Sequence, residues 1–495
     1  MRRRTFLAIA TGSLAAVAGC STDDDEETPT ATPTQTATPV GTTETLTPTP
    51  TETLTPTPTE TATSTPTETA TSTPTETATS TPTETTVEAA SALIGDMSAG
   101  RFDQAYERFE STRRDAISPG ALEAIWIAAT NVGGPFEEIV DTEETVQSGF
   151  DAVDVTLGFE RSKHTLRVVI GDELAIAGVA VNDEYERPGY VDQSAFDAEE
   201  TTVETDDCLM DATLTLPNDG SDLPGAVLVH GSDPSGAADK NLEIIGSQIF
   251  RDIAEGLSSQ GVAVLRYDRR THACPSSLSP EEYTLDAVTI DDPLVAVDQL
   301  RTAEGVDPDR VAVTGLSLGA LAVPRIAQRD GNLAGGVAMA APARPFHEIF
   351  IDQYEHLATV GEYEWDLMDT LYDRWRDRID RIRQGDYTEA DIVLGYPGAL
   401  WNSLDAYDHV GTARAIDTPL LFLQGDRDYQ VSPEKDFGQW QTELADRSRT
   451  EFTRYEGLNH VFQFGTGPSV PGEYAFRNSV DQQVVADIAG WLTSL

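Results

Sequence analysis

Lysine is nearly absent from this chain of 495 residues: it occurs only at Lys163, Lys240 and Lys435. Acidic residues outnumber lysine and arginine by 84 to 33, which gives a formal net charge of −51. Because nucleic acids bind through Lys and Arg contacts to phosphates, this balance argues against a nucleic-acid partner. An acidic surface of this strength is typical of proteins kept soluble in high salt, so we interpret the chain as the protein of a halophile.

Cysteine and long apolar runs are also scarce. The chain has three cysteines, none within a cluster of metal-ligand spacing, so we expect no metal and no cofactor. Apart from Cys20, the chain contains Cys208 and Cys274. An exported protein can pair these two cysteines or leave them free. The N-terminal apolar run from Ala8 to Ala18 is too short to span a bilayer.

The first twenty residues have the pattern of an export signal. Arginines at positions 2–4 precede the apolar run and resemble a twin-arginine signal. The sequence Val-Ala-Gly-Cys ending at Cys20 resembles the lipobox, in which the cysteine becomes the lipidated first residue. A plain signal peptide with a coincidental cysteine is the alternative. We predict a signal peptide over residues 1–20 and a lipid anchor at Cys20 that holds the protein on the outer face of the cell membrane.

Residues 21–87 are of low complexity and consist mainly of Thr, Pro, Glu and Ala. The octapeptide Thr-Ala-Thr-Ser-Thr-Pro-Thr-Glu occurs three times in succession, at 61–68, 69–76 and 77–84. Such a composition cannot bury a core, and its prolines favour an extended chain. We predict a disordered linker between the membrane and the folded part.

Residues 88–186 have the pattern of a small α+β domain. Apolar residues at helical spacing cover 91–109, and Ser118-Pro119 is the start of a second helix that ends before Pro135. Alternating runs at 152–159, 165–170 and 174–181 predict antiparallel strands. The domain contains no nucleophile or metal cluster, and His164 lies in a strand with no identifiable partner.

The remaining residues, 187–495, alternate strands with helices, which predicts an α/β domain with a mostly parallel sheet. The predicted strands are short continuous apolar runs, typical of strands covered on both faces; they lie at 209–216, 225–230, 261–267, 311–314, 336–340 and 419–424. The predicted helices between them lie at 243–259, 292–302 and 318–328.

A Gly-x-Ser-x-Gly sequence centred on Ser317 follows the strand 311–314 and precedes a helix. This strand–turn–helix context is the one that a nucleophile elbow requires, because the strained turn needs small neighbours on both sides of the serine. A chance match is the alternative, since glycine and serine are common. In this fold class the oxyanion is bound by the N–H of the residue after the nucleophile and by one from an earlier strand–loop. We therefore predict Leu318 and Ser232 as donors, and a structural role for His230, which precedes the serine.

The base and the acid follow from chain order. In an α/β-hydrolase the acid comes after the serine and the histidine after the acid. The strand 419–424 runs into Gly-Asp-Arg-Asp, and only His460 lies beyond this loop. We predict His460 as the base and Asp428 as the acid that orients it, with Asp426 as the alternative and otherwise a solvated loop carboxylate.

These motifs resemble the two-domain serine esterases of the α/β-hydrolase superfamily over about residues 90–495. The shared features are the elbow, Leu-Gln-Gly-x-x-Asp-Tyr-Gln-Val, Asn-His, His-Gly-Ser-Asp-Pro-Ser-Gly and the run Arg266 to Thr271. Asp103, Tyr106, Phe109, Trp126 and Gly134-Pro135-Phe136 resemble a domain of unknown function found ahead of such esterases, with an NTF2-like or cystatin-like fold. The resemblance implies hydrolysis of a small-molecule carboxylic ester through an acyl-enzyme. Two departures are Asp233, where relatives often have glycine, and Leu316, where they often have histidine.

Residues 342–409, between two predicted strands, form a long insertion. Residues 348–383 have a helical pattern rich in Trp, Tyr, Arg and Asp, and Trp401 is predicted in a loop. Insertions at this point commonly form a lid over the substrate pocket, although a solvated helical excursion is the alternative.

Three classes of function are compatible with the sequence, which leaves the oligomeric state open. The first is an exported esterase acting on small or medium acyl esters. The second is a peptidase or acyltransferase on the same fold. Exopeptidases of this fold often have glycine where this chain has Ala320. The third is a non-catalytic surface-binding lipoprotein, which a complete Ser317–Asp428–His460 set disfavours.

Overall fold

The computed structural model describes residues 85–244, 246–360 and 365–495. The predicted signal peptide, Cys20 and residues 21–84 of the predicted linker lie outside the described residues. The predicted domain boundaries at 87 and 186 also stay predictions.

The small domain begins with three helices and continues as an antiparallel meander. Thr85 caps the first helix through a capping box with Glu88, and Ser118 caps the third by accepting a hydrogen bond from the Ala121 N–H, with Pro119 in the first turn. The elements are α1 (Thr86–Ser98), α2 (Phe102–Glu107), α3 (Pro119–Gly133), β1 (Phe136–Gln147), β2 (Phe150–Phe159), β3 (Lys163–Ile170) and β4 (Ile176–Val181). The strands pair in the order β1-β2-β3-β4. The α+β arrangement agrees with the prediction; its NTF2-like or cystatin-like character stays a prediction.

An eight-stranded mixed sheet forms the centre of the second region, as the predicted α/β-hydrolase fold requires. The strands and two short hairpins are β5 (Phe196–Glu204), β6 (Leu209–Pro217), β7 (Leu223–Val229), β8 (Glu243–Ile244), β9 (Ser247–Gln248), β10 (Ala263–Tyr267), β11 (Val306–Leu316), β12 (Gly336–Met339), β13 (Ile392–Val393), β14 (Tyr396–Pro397), β15 (Leu420–Gly425) and β16 (Thr450–Tyr455). The sheet order is β16-β15-β12-β11-β7-β10-β6-β5, and only the pairings of β6 with β5 and β10 are antiparallel.

Helices cover both faces of this sheet. They are α4 (Ile249–Ser258), α5 (Arg270–Ala273), α6 (Asp291–Arg301), α7 (Leu318–Asp330), α8 (Phe346–Val360), α9 (Trp365–Gln384), α10 (Gly398–Asp405), α11 (His409–Ala415), α12 (Gly438–Glu443) and α13 (Gln482–Ser494). Along β7, Val227 and Val229 face one apolar core while Ala226 and Leu228 face the other, so continuous apolar strands are buried on both sides. None of the helices in the ranges above is long and apolar enough to cross a bilayer.

The register aligns the carboxyl ends of four parallel strands. Gly315 pairs with Val229, Leu316 with Met339, and Met339 with Leu423. The residues that follow β7, β11, β12 and β15 therefore meet at one edge of the sheet, where open α/β sheets bind their ligands.

The insertion between β12 and β15 contains α8 to α11 and the short hairpin of β13 and β14. The prediction that Trp401 lies in a loop is wrong: it lies in α10, is fully buried, and donates a hydrogen bond to the Val393 carbonyl at 2.9 Å. An eight-residue helix is too short for its apolar spacing to be distinguished from a loop in the sequence.

Cys208 and Cys274 form a disulfide, with 5.9 Å between their Cα atoms. The bond connects the residue before β6 to the residue after α5, although 66 positions separate the two cysteines in the sequence. The sequence left this pairing open.

Candidate active site

Ser317 lies at the turn between β11 and α7 in a strained backbone conformation. Its φ of 57° is in the left-handed region, which non-glycine residues rarely adopt. The flanking glycines are required by close backbone approaches. A Cβ on Gly319 would lie 2.4 Å from the Val229 carbonyl oxygen, and one on Gly315 would lie 2.4 Å from the carbonyl oxygen of Gly319. The turn therefore has the geometry of a nucleophile elbow.

Asp428 and His460 are brought together from the loops that follow β15 and β16. The Nδ1 atom of His460 lies 2.8 Å from Oδ2 of Asp428, and both side chains are buried. Gln424 Nε2 donates to the same carboxylate oxygen, and the N–H groups of Gln430 and Val431 donate to the other. Because this carboxylate accepts from Nδ1–H, the Nε2 atom of His460 is left as the acceptor that a general base needs.

Asp426, the alternative acid, has a different environment. Its Oδ1 atom accepts a hydrogen bond from the Gly457 N–H at 2.7 Å, which ties the loop after β15 to the end of β16. Of the two carboxylates, the one hydrogen-bonded to His460 is Asp428.

The loop after β7 approaches Ser317 closely. A Cβ on Gly231 would lie 3.2 Å from the Leu316 carbonyl oxygen and 3.2 Å from Ser317 Cβ. The buried Arg269 guanidinium donates a hydrogen bond to the Gly231 carbonyl oxygen. Since the C=O and N–H of a trans peptide point in opposite directions, the Ser232 N–H points away from Arg269.

The second predicted oxyanion donor, Leu318, is the first residue of α7. The first N–H groups of a helix have no acceptor within it. Its N–H therefore has no acceptor within the helix, and its role as an oxyanion donor stays a prediction.

Asp233, the departure from the relatives' glycine, organises the same loop. Its carboxylate accepts from the Ser235 N–H and hydroxyl and from the Ala238 N–H, at 2.7–3.1 Å. Burial alone would raise the pKa of the Asp233 carboxyl, but the hydrogen bonds from Ala238 and Ser235 outweigh it and lower this pKa. The ionised side chain thus replaces glycine's flexibility with fixed contacts.

His230 is a structural element of this edge of the sheet. Its Nε2–H donates to the Tyr267 carbonyl at 2.7 Å, which connects the ends of β7 and β10. Burial lowers the pKa of His230 to about 4, so the ring is neutral at physiological pH.

A cavity of about 230 Å³ opens at this edge of the sheet. Ser232, Ser317 and His460 line it together, so the cavity contains three of the five residues predicted for catalysis and oxyanion binding. The insertion and two later loops contribute part of its apolar wall: Phe346, Ile349, Phe350, Tyr396, Val461 and Tyr474. The rest comes from residues 234–244 and from Leu316. Across the described ranges, no group of three or more His, Cys, Asp or Glu is arranged to hold a metal.

Two residues of the site were not assigned a role from the sequence. Tyr396 lines the cavity together with Ser232, and burial raises the pKa of Tyr396, so the phenol is neutral. Tyr396 lies in a two-residue strand of the insertion and carries no motif. Arg269 belongs to the run Arg266 to Thr271, at the end of the predicted strand 261–267. Its contact with Gly231 depends on packing between segments that are separate in the sequence.

Comparison with known proteins gives two family matches. Residues 226–475 match the model of the alpha/beta hydrolase family, and residues 90–179 match that of a protein of unknown function, DUF3887. The chain is 34% identical over 422 residues to Esterase EstD of Thermotoga maritima, which covers 81% of this chain and 98% of that protein.

The solved structures that match the chain are more distant in sequence. The esterase Pf2001 of Pyrococcus furiosus is 18% identical, with a TM-score of 0.39, over 64% of this chain and 97% of that one. Est1E of Butyrivibrio proteoclasticus with ferulic acid bound is 16% identical, with a TM-score of 0.40, over 60% of this chain and 100% of that one.

Proposed function

The chain belongs to the alpha/beta hydrolase family, and from this membership we propose that it is a serine carboxylesterase acting on small or medium acyl esters. The observation that carries the proposal is the junction of three chain segments at one cavity. The elbow serine and His460 line that cavity, and Asp428 is hydrogen-bonded to the histidine. The similarity to Esterase EstD favours an ester over a peptide substrate.

The proposed reaction proceeds through an acyl-enzyme. Ser317 Oγ attacks the ester carbonyl while His460 Nε2 takes its proton, and Asp428 stabilises the imidazolium. The N–H groups of Ser232 and Leu318 bind the oxyanion, each contributing about 10²–10³ in turnover. His460 then protonates the leaving alcohol, and a water molecule activated by the same histidine hydrolyses the acyl-enzyme.

The insertion is proposed to act as a lid that shapes the substrate pocket. Its helix α8 contributes Phe346, Ile349 and Phe350 to the cavity wall. An apolar wall close to Ser317 and His460 suits an ester with a hydrocarbon group. The hydrocarbon group is stabilised when it moves out of water into the apolar part of the pocket.

Hydrolysis of p-nitrophenyl esters of increasing acyl length, measured in high salt, tests the function. We expect the wild type to hydrolyse the short and medium esters and Ser317→Ala to lose about 10⁴-fold or more of kcat. Ser494→Ala, at the end of the last helix, is the matched control. Full activity in Ser317→Ala would refute the assignment of the nucleophile, and an inert wild type would direct the search to peptides and then to a binding function.

We also propose export and lipid anchoring at Cys20, in a halophile. The Cys208–Cys274 disulfide supports export, because such bonds persist in oxidising compartments. Cys20→Ser is expected to move the protein from the membrane fraction to a soluble fraction; unchanged membrane association of this variant would contradict the anchor.

A further inference from the structure

We propose that the small domain supports the wall of the substrate cavity. It holds residues 466–476, here called the bridging segment, against helix α8 and against the loop after β15. That loop, residues 426–431, carries Asp428 and is called the acid loop. This inference rests on the proposed esterase function and gives the small domain a role in it: fixing the pocket for the longer acyl esters.

The bridging segment belongs to two apolar cores at once. Val470 and Phe476 are buried in the core of the small domain, and the Phe476 ring meets the His164 ring edge-on at 5.2 Å. Tyr474, only two residues before Phe476, is buried in a core of the large sheet and lines the cavity. The position of Tyr474 is therefore fixed by side chains that enter the small domain on either side of it.

Asn131 of α3 fixes the same segment through polar contacts. Its Nδ2 atom donates to the Pro468 carbonyl at 2.8 Å and to Glu473 Oε1 at 2.9 Å. The backbone carbonyl oxygen of Asn131 accepts a hydrogen bond from the Thr466 N–H at 2.9 Å. Both hydrogens of the amide are used, so this one side chain holds two points of the segment.

The bridging segment in turn braces the acid loop on both sides of Asp428. Glu473, almost fully buried, accepts from Arg427 Nη2 at 2.6 Å. Gln430, whose N–H donates to Asp428, donates through Nε2 to the Tyr474 hydroxyl at 3.0 Å. A displacement of the segment would therefore move the cavity wall at Tyr474, whereas Asp428 would keep its hydrogen bonds from Gln424, Val431 and His460.

Helix α8 of the insertion is attached to the same structures. His356 Nε2–H donates to the Ser469 carbonyl at 2.7 Å, and Gln353, which lines the cavity, donates to the Gln430 carbonyl at 3.1 Å. Val360, the last residue of α8, packs against the core of the small domain. The small domain thus contacts both a helix and a segment that contribute side chains to the cavity wall.

Asn131→Ala tests the proposal, with Thr130→Ala as the matched control. Thr130 is the preceding residue of the same helix, and its hydroxyl donates to carbonyl groups within that helix, those of Trp126 and Ile127. Amide hydrogen exchange of peptides covering 466–476 and 425–431 is measured in both full-length variants. Kinetics with p-nitrophenyl acetate through laurate are measured well below both melting temperatures.

In Asn131→Ala we expect exchange in the bridging segment to rise about tenfold or more, because two hydrogen bonds to one buried side chain are lost. We expect KM for the longest ester hydrolysed to rise about fivefold, with kcat/KM for the acetate within about twofold of wild type. The acetate has the shortest acyl group and so gains least from the apolar wall, and Asp428 keeps its contacts with Gln424 and His460. Thr130→Ala should match wild type in both measurements.

Unchanged exchange in the bridging segment, or an equal loss for all acyl lengths, would overturn the proposal. If Asn131→Ala fails to fold, Val470→Ala removes only an apolar contact with the small domain and is judged by the same two results. A wild type inert toward every ester would refute the esterase function, while the exchange measurement would still judge the support of the segment.

Discussion

Asp426 and Asp428 stand two residues apart in one loop but have different partners. Asp428 is buried and accepts hydrogen bonds from His460, Gln424 and two backbone N–H groups, whereas Asp426 accepts from the Gly457 N–H. At the scale of single residues, the hydrogen-bond partner distinguishes the two carboxylates. Asp428 contacts His460 and is the predicted orienting acid, whereas Asp426 fixes the loop through Gly457.

Asp428→Asn is therefore expected to lower kcat by about 10³–10⁴, because an amide no longer selects the productive tautomer of His460. Asp426→Asn, the matched control, should keep kcat within about tenfold, since an amide oxygen still accepts from Gly457. Steady-state kinetics on one ester check both variants. A larger loss in Asp426→Asn than in Asp428→Asn would reverse the assignment.

His230 predicts a contribution to the pH dependence of stability. Its pKa is lowered to about 4 in the folded protein, chiefly by burial, from an unfolded value of about 6.5. The unfolded state therefore binds the proton more readily, and stability is lost as pH falls from about 6.5 to about 4, by about 3 kcal/mol in total.

Denaturant unfolding at pH 7.5 and 4.5, with wild type beside His230→Gln, measures this effect. Wild type should lose more unfolding free energy on acidification than the variant, whose side chain does not titrate. Equal losses in the two proteins would show that His230 does not carry the effect.

At the scale of elements, the strands of the two larger sheets that the sequence did not predict share a position. β1, β5 and β16 are edges of the two sheets, and much of each strand is exposed. Their acidic and Thr-rich sequences, of which β1 is the clearest, therefore lack the apolar runs that made the interior strands predictable. Charged edge strands also discourage pairing with other chains.

The site shows the same division between local and distant information. The strained turn at Ser317 and the pairing of Asp428 with His460 could be predicted because a local motif and the chain order carry them. Arg269 and Tyr396 could not, since their contacts with the loop after β7 join segments far apart in sequence. The bridging segment likewise carries no motif, and its role comes from the two cores that it enters.

The elbow predicts a contrast between two glycine substitutions. Gly319→Ala places a Cβ against the backbone of β7, so we expect a loss of about 3 kcal/mol or more of stability, or loss of activity. Gly490→Ala, in α13 with no atom near the added Cβ, should stabilise by about 0.5–1 kcal/mol. Thermal unfolding and ester hydrolysis check both, and an active, fully stable Gly319→Ala would contradict the close packing of the turn.

At the scale of the whole molecule, the net charge of −51 implies strong self-repulsion. Two of the three lysines pair with carboxylates, Lys240 with Glu200 and Lys435 with Asp352, but far more carboxylates than cations remain. Salt shortens the Debye length from about 10 Å at 0.1 M to about 3 Å at 1 M and so weakens this repulsion.

We therefore expect the melting temperature to rise by roughly 10 °C or more between 0.1 and 2 M KCl. Calorimetry in KCl, with sucrose of equal water activity as the uncharged control, measures the change. A melting temperature that is flat or falls with KCl would contradict the halophile interpretation.

The two cores that share the bridging segment also bear on the order in which the protein can be completed during synthesis. The helices and strands of the small domain are translated before the large sheet, yet Val470 and Phe476 of its core are translated after that sheet. Until then the nascent domain exposes the apolar surface that these side chains cover. The small domain therefore completes its core only after the large sheet has been translated, so it cannot finish folding as an independent unit during synthesis.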